Sequence, residues 1–416
     1  MYKTQYKNGN KIAAYIGENL LIVNTLTKKY FIEKNSFFSK YLIYKIFHGE
    51  RVYEDEKLQE YSDKIITYLD SVTSIIDEDR IIYFEITNNC NLRCIHCYNN
   101  SNDKNNLVRK ELPIDKIENV IVANKSCENL KVILSGGEPI LHSQFKMILD
   151  MLRKYDVKTT VYSNGINIDK YASLFIGTAE NIMISFDGAD SEKHDMVRGE
   201  GSFIRTTKNV ELLCEKLGDN RVFFSFTINK YNYQTAKEML ELSTKYNVKK
   251  VYLNPVAALG RNHEDSLGLN DAELVEFWDV LYELKDKYKG IEIICDTYWK
   301  AGYLAKNAIL PYDCSICRKI RISVDGYVYP CTFFDDKSIM NRNIEDNQDV
   351  FGDDVYNVVK KNVNDRLFKC EDCVFITLCN GGCPAAGYKN GIWGISEVEC
   401  DAKTKFFRKH IEMIKG

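Results

Sequence analysis

Apolar residues in the middle of this 416-residue chain alternate between two rhythms. Short runs rich in β-branched and aromatic residues predict strands at 81–87, 131–135, 158–163, 181–186, 222–228 and 250–255. Between them, apolar positions recur at helical spacing over 114–124, 144–155, 202–216 and 233–246. Strands alternating with helices predict an α/β fold with a parallel sheet and crossover helices. Six such units make an open, partial (β/α)6 barrel, with ligand-binding loops at the C-terminal ends of the strands.

The flanks read differently. Apolar stretches at 12–16 and 20–23 surround a Gly17-Glu18-Asn19 turn and predict a hairpin. Residues 28–32 predict another strand, and 37–47 and 58–76 predict helices. From Pro311 onward the chain reads as loop-rich and holds eight cysteines, a segment that needs metal to become compact. The expected division is a small sheet-and-helix module over 1–80, the barrel over 81–300 and a cysteine-rich region over 301–416.

Composition narrows the class. Hydrophobic residues make up 45% and charged residues 28%, as in a soluble globular protein. A net charge of −3 gives no nucleic-acid footprint. No apolar run approaches a membrane span, and the N-terminus lacks a signal-peptide core, so a cytoplasmic location is expected. In that reducing compartment, 14 cysteines point to metal ligands rather than disulfides. Cys127, Cys214 and Cys295 stand alone and read as small buried hydrophobes.

The first strand ends in Thr87-Asn88-Asn89, and Cys90, Cys94 and Cys97 follow at C-x3-C-x2-C spacing. Three thiolates hold three irons of a four-iron cubane and leave the fourth open to a small molecule. A zinc site with His96 as fourth ligand is the competing reading, but zinc favours paired C-x2-C units. After the second strand comes Ser135-Gly136-Gly137-Glu138-Pro139. Its glycines permit close backbone approach, and its Glu offers an acceptor to an ammonium. Tyr162-Ser163-Asn164-Gly165 and Ser185-Phe186-Asp187-Gly188 end the third and fourth strands.

The cysteine triplet, the aromatic Tyr98 after it and the GGEP turn resemble the radical S-adenosylmethionine superfamily. The resemblance covers residues 81–416. It implies an oxygen-sensitive enzyme that cleaves S-adenosylmethionine. Implied cofactor contacts are Tyr98, Gly136, Gly137, Glu138, Pro139, Ser163, Ser185, Arg198 and Asn254. Arg198 would pair with the cofactor carboxylate, and Asn254 would line the adenine side. No general base stands out among the barrel loops.

The C-terminal cysteines are Cys314, Cys317, Cys331, Cys370, Cys373, Cys379, Cys383 and Cys400. A turn at Asp325-Gly326 would return Cys331 towards Cys314 and Cys317. The pairs Cys314–Cys317 and Cys370–Cys373 alone would also suit a zinc ribbon, but eight thiolates suit two four-cysteine clusters. The array resembles the SPASM domain, which implies one auxiliary cluster on Cys314, Cys317, Cys331 and Cys383. It implies another on Cys370, Cys373, Cys379 and Cys400, making three [4Fe-4S] clusters in all.

SPASM enzymes mostly modify peptides, and residues 1–80 resemble the winged-helix-like peptide-recognition element of peptide maturases. The resemblance therefore implies a precursor peptide with a leader as partner, and an electron donor such as flavodoxin or ferredoxin. The expected product is a crosslink, a thioether first and a carbon–carbon bond second. The rivals are an anaerobic sulfatase maturase forming formylglycine and a non-catalytic metal or cluster redox protein. The first 48 residues hold eight Lys against two Glu, a balance suited to an acidic leader.

Overall fold

A computed structural model describes residues 5–16, 18–24, 29–34, 42–48, 56–70, 79–103, 108–179, 181–218, 220–295, 314, 316–346, 348–370, 373–379 and 381–412. The chain divides into two compact units. One comprises 77–302 with 314–362, and the other 1–76, 303–313 and 363–416. The segment 301–416 thus contributes to both.

The larger unit is built on a mostly parallel sheet. Its strands are β5 (Arg80–Thr87), β6 (Leu130–Gly136), β7 (Lys158–Ser163), β8 (Asn181–Phe186), β9 (Val222–Ile228), β10 (Lys250–Pro255), β11 (Glu292–Ile294), β12 (Lys319–Ile322) and β13 (Val328–Tyr329). Strands β5 to β10 lie side by side in chain order and parallel, as their alternation with helices predicts. Ile82, Phe84, Val132, Leu134, Ile182, Ile184, Phe224 and Phe226 are fully buried, as expected for strands covered on their faces.

The crossover helices include Ile114–Asn124, Phe145–Lys154, Ser202–Leu217 and Ala236–Lys245, close to the predicted spans. The short helices Ala172–Thr178 and Ser191–Arg198 give too few turns for a periodic signal. At one edge β11 continues the sheet beyond β10. At the other, β12 runs parallel to β5 and β13 folds back against it. A segment expected to be loop therefore extends the sheet, with Ile320, Ile322 and Val328 as its buried apolar positions.

The smaller unit holds a four-stranded antiparallel sheet, β1 (Tyr6–Asn8), β2 (Lys11–Ile16), β3 (Asn19–Asn24) and β4 (Lys29–Lys34), in that spatial order. The predicted hairpin is the β2–β3 pair, with Ala13 opposite Ile22. Leu20 and Ile22 pack with Leu42, Ile43, Ile46, Ile65 and Leu69, the last two from the helix Glu56–Asp70. Leu21 and Val23, which point to the other face, are buried as well. The predicted helical positions 37–41 and 71–76 lie outside the described residues.

The same unit contains the helix Glu397–Glu412, which the dense cysteines hid from the sequence reading. Near its end the Ile411 carbonyl accepts a hydrogen bond from Asn19 Nδ2 on β3 at 2.6 Å. No helix among the described residues is long and apolar enough to cross a membrane.

Candidate metal centres and the loops that hold them

The first cysteine loop starts where β5 stops. Thr87 Oγ1 accepts from Asn89 N at 3.1 Å and turns the chain into Cys90. Leu92 is buried beneath the loop and its N–H points at Cys90 Sγ, 3.4 Å away. The Cys94 carbonyl accepts from Cys97 N, and the Val197 carbonyl accepts from Ile95 N. Burial pushes the Cys90 thiol up to about 12 and the Cys94 thiol up to about 11. Without metal these thiols stay protonated, so iron loading displaces protons.

The GGEP turn is stitched to this loop. Gly137 N donates to Thr87 O at 2.7 Å, and Glu138 N donates to Asn89 O at 2.8 Å. A Cβ on Gly137 would lie 2.2 Å from Asn89 O, so only glycine permits the approach. Asn99 Nδ2 caps the Gly136 carbonyl at 2.6 Å. Gly137→Ala is expected to cost about 1–3 kcal/mol, an overpacking penalty set by backbone collision. Gly290→Ala, facing open space, is the neutral control, and urea unfolding compares the two.

Glu138 does more than offer an acceptor. Its Oε1 accepts from Ser163 Oγ and its Oε2 from Asn164 N, each at 2.8 Å, which ties the end of β6 to the end of β7. Burial raises its carboxyl to about 7, against the pull of these hydrogen bonds. A carboxylate has about four lone-pair sites, so acceptor capacity remains. Asn164 Nδ2 reaches on to Asn91 Oδ1 at 2.7 Å, inside the cysteine loop. Pro139 is buried and begins the short turn after Glu138.

Arg198, the expected partner of the cofactor carboxylate, is buried and already ion-paired. It is 8% exposed, and its Nε lies 2.5 Å from Asp187 Oδ2. The same oxygen is 2.8 Å from His96 Nε2, so Asp187 engages that ring nitrogen. Asp187 Oδ1 accepts from Thr227 N at 3.2 Å. Burial alone would raise Asp187, but Arg198 and His96 outweigh it and hold the carboxyl at about 2. One fully buried carboxylate thus joins the cysteine loop, the end of β8, the helix Ser191–Arg198 and β9.

Arg261, after β10, is a further support. Its Nη1 donates to Cys94 O at 2.7 Å, its Nη2 donates to Ser101 O, and its backbone N donates to Cys97 O at 3.0 Å. No pattern in the sequence marked it. Asp187, by contrast, lies in the strand-end motif Ser185-Phe186-Asp187-Gly188.

Tyr98 OH is 3.4 Å from Ser135 Oγ, and burial keeps this phenol protonated well above its ordinary range. Ser185 is partly exposed on β8. Asn254, at the end of β10, has a buried Oδ1 with no hydrogen-bond partner among the described residues. That orphaned acceptor beside a row of strand-end polar groups fits a polar ligand.

The later cysteines fall into two sets. In the larger unit, the β12–β13 hairpin turns at Gly326, whose φ is +77°, and returns the chain so that Cys317 N donates to Pro330 O at 2.8 Å. Burial, reinforced by the neighbouring thiols, pushes Cys317 and Cys331 up to about 12. In the smaller unit Cys370, Cys373, Cys379 and Cys400 line one pocket. Cys383 is not among its lining. Its N–H donates instead to Glu399 Oε2 at 3.0 Å. Among the described residues, no three His, Cys, Asp or Glu side chains are arranged to hold a single metal ion.

The end of β5 thus presents a three-cysteine loop braced by the double-glycine turn that follows β6. Residues 84–265 match the Radical SAM superfamily, so the chain carries a radical SAM domain. Mycofactocin maturase MftC of Mycolicibacterium smegmatis is 24% identical over 328 residues, 76% of this chain and 81% of that one. The antilisterial bacteriocin subtilosin biosynthesis protein AlbA of Bacillus subtilis is 26% identical over 341 residues, 79% and 69% of the two chains. Streptococcus suis SuiB bound to S-adenosylmethionine superposes with a TM-score of 0.61 at 16% identity, over 95% of this chain and 99% of that one. SuiB bound to its precursor peptide SuiA superposes with a TM-score of 0.59 at 15% identity and the same coverage.

Proposed function

We propose that this radical SAM enzyme is a SPASM-type maturase that crosslinks a ribosomally made precursor peptide. The observation that carries the reading is the presence, in one chain, of a radical SAM domain and a four-stranded N-terminal sheet. Among the described residues β4 pairs only with β3, which leaves its other edge for a peptide strand. The relatives named maturase or bacteriocin biosynthesis protein, and the likeness to SuiB with its precursor peptide, support it. In this reading residues 1–80 are a winged-helix-like leader-recognition module, 81–300 a partial (β/α)6 barrel and 301–416 an auxiliary-cluster region.

Cys90, Cys94 and Cys97 would hold a four-iron cluster with one open iron, which with S-adenosylmethionine supplies a 5′-deoxyadenosyl radical. The Gly136-Gly137 backbone and the remaining lone pairs of Glu138 receive the methionine ammonium. Arg198 offers its charge to the methionine carboxylate, while Asp187 fixes its position. Tyr98, Ser163, Ser185 and the orphaned Asn254 Oδ1 serve the rest of the cofactor. The barrel wall orients the peptide and excludes water. The pocket of Cys370, Cys373, Cys379 and Cys400 would hold an auxiliary cluster, and Cys314, Cys317 and Cys331 present thiolates for another. A cytoplasmic electron donor of the flavodoxin or ferredoxin class completes the system.

The test incubates the anaerobically loaded enzyme with S-adenosylmethionine, reductant and the peptide encoded in the neighbouring small open reading frame. The expected product is lighter by two hydrogens and gives no fragment ions between the joined residues. A thioether to cysteine is the first expected bond, and a carbon–carbon bond the second. 5′-Deoxyadenosine with an unchanged peptide, or a product that reacts as an aldehyde, would refute the crosslinking assignment.

A further inference from the structure

The four-cysteine pocket has one charged side chain in its lining among the described residues, Lys403. Lys403 follows Cys400 by three positions on the helix Glu397–Glu412, so both side chains share a face. It is 3% exposed. Its Nζ lies 3.7 Å from Glu399 Oε2, and Glu399 is itself 4% exposed. Glu399 is outside the pocket lining, and its Oε2 is also the acceptor for Cys383 N–H. Lys403 thus lines the pocket, while its ion-pair partner Glu399 lies outside the lining and turns an oxygen to the Cys383 backbone.

The local backbone is shaped for this arrangement. Gly381 and Gly382 both adopt positive φ, +71° and +73°. A Cβ on Gly382 would lie 2.7 Å from Glu399 Oε2. Arg366 satisfies the two glycine carbonyls, at 2.7 and 3.0 Å. Burying a lysine is costly, and a purely structural site of this size would be filled more cheaply by an apolar side chain.

We propose that Lys403 is a positioning residue for charge, setting the reduction potential of a four-iron cluster held by Cys370, Cys373, Cys379 and Cys400. The inference rests on the auxiliary-cluster reading above. A cluster gains one negative charge on reduction, and net charge near the cluster is among the determinants of its potential. A buried ammonium favours the reduced form. Lys403 makes this cluster a better electron acceptor than its thiolates alone would. Glu399 keeps the ammonium in place and joins that charge to the segment bearing Cys383.

The experiment is an anaerobic redox titration of the full, reconstituted chain, followed by electron paramagnetic resonance with iron and sulfide counts. The relevant signal is the component missing from a Cys370→Ala, Cys373→Ala variant. If no component is missing there, the auxiliary-cluster reading itself fails, and this inference with it. With the signal assigned, Lys403→Met is expected to keep its iron and to shift the reduction equilibrium at least tenfold against reduction. For a one-electron couple that is a potential about 59 mV more negative. Lys403→Arg is expected to stay within threefold of wild type. An unshifted potential in iron-replete Lys403→Met overturns the proposal. Should Lys403→Met load poorly, Lys403→Gln, one atom shorter but still an N–H donor, is read in its place. Iron loss in both neutral variants would make Lys403 a structural residue and also overturn the proposal.

Discussion

Anaerobic reconstitution is expected to load about twelve irons per chain, and the Cys90→Ala, Cys94→Ala, Cys97→Ala variant about eight, as one four-iron cluster is lost and two remain. S-Adenosylmethionine cleavage should vanish in the variant, because in this reading the cofactor is chelated by the cluster that Cys90, Cys94 and Cys97 would hold. The other thiolates are grouped elsewhere, at Cys317 and Cys331 and in the pocket lined by Cys370, Cys373, Cys379 and Cys400. They have no part in the GGEP-braced loop. The count discriminates sharply. About four irons with bound zinc in the wild type would make the C-terminal cysteines a zinc module, leaving the radical chemistry intact. Loss of all iron in the variant would instead mean that the first loop is needed for the fold to accept any cluster.

The second large effect belongs to Asp187. Replacing it with Asn removes the charge that holds Arg198 and His96 while nearly preserving shape. Arg198 would be left buried, with its ion-pair partner gone, beside the cysteine loop. Breaking a buried pair from one side typically costs about 3–5 kcal/mol, mostly through the charge left behind. Urea unfolding should register that loss, and 5′-deoxyadenosine formation should fall with it. Arg198→Met in the Asp187→Asn background should recover much of the stability, since removing both charges strands neither. Activity should stay low in the double variant, which separates the structural share of the network from its service to the cofactor. The carboxyl of Asp187 is held at about 2, below its ordinary value. Its stabilisation is therefore complete above about pH 4 and lost as pH falls towards 2. Asp187→Asn should flatten that acid limb.

The strands of the radical SAM domain were legible because each is a short β-branched run bounded by polar turns. Four of the six expected spans, 158–163, 181–186, 222–228 and 250–255, match the strands as folded. The cysteine triplet and the GGEP turn were legible because their chemistry is local. What escaped was non-local. Arg261 reaches the Cys94 carbonyl across 167 positions, and Arg321 on β12 pairs with Glu85 on β5 across 236. No periodicity announces such partners. Glu138 was recognised as an acid, but its task of joining two strand ends is visible only once Ser163 and Asn164 stand beside it. Arg198 was recognised as a cation, and its burial against Asp187 depends on a strand order that the motif does not contain. The helix Glu397–Glu412 is masked in the sequence because Cys400 sits inside it as a metal-ligand signal, while Phe406, Phe407, His410 and Ile411 carry its buried face.

The bond from Asn19 to the Ile411 carbonyl has a consequence for how the molecule is born. Its two ends are 392 positions apart. At a synthesis rate of about 5–20 residues per second, Asn19 precedes Ile411 by about 20–80 s. Throughout that interval Asn19 lacks the carbonyl that it meets in the folded chain. A nascent chain carries its hairpin through that time without this bond, so the hairpin's first packing is against the helix Glu56–Asp70, whose Ile65 and Leu69 join Leu20 and Ile22.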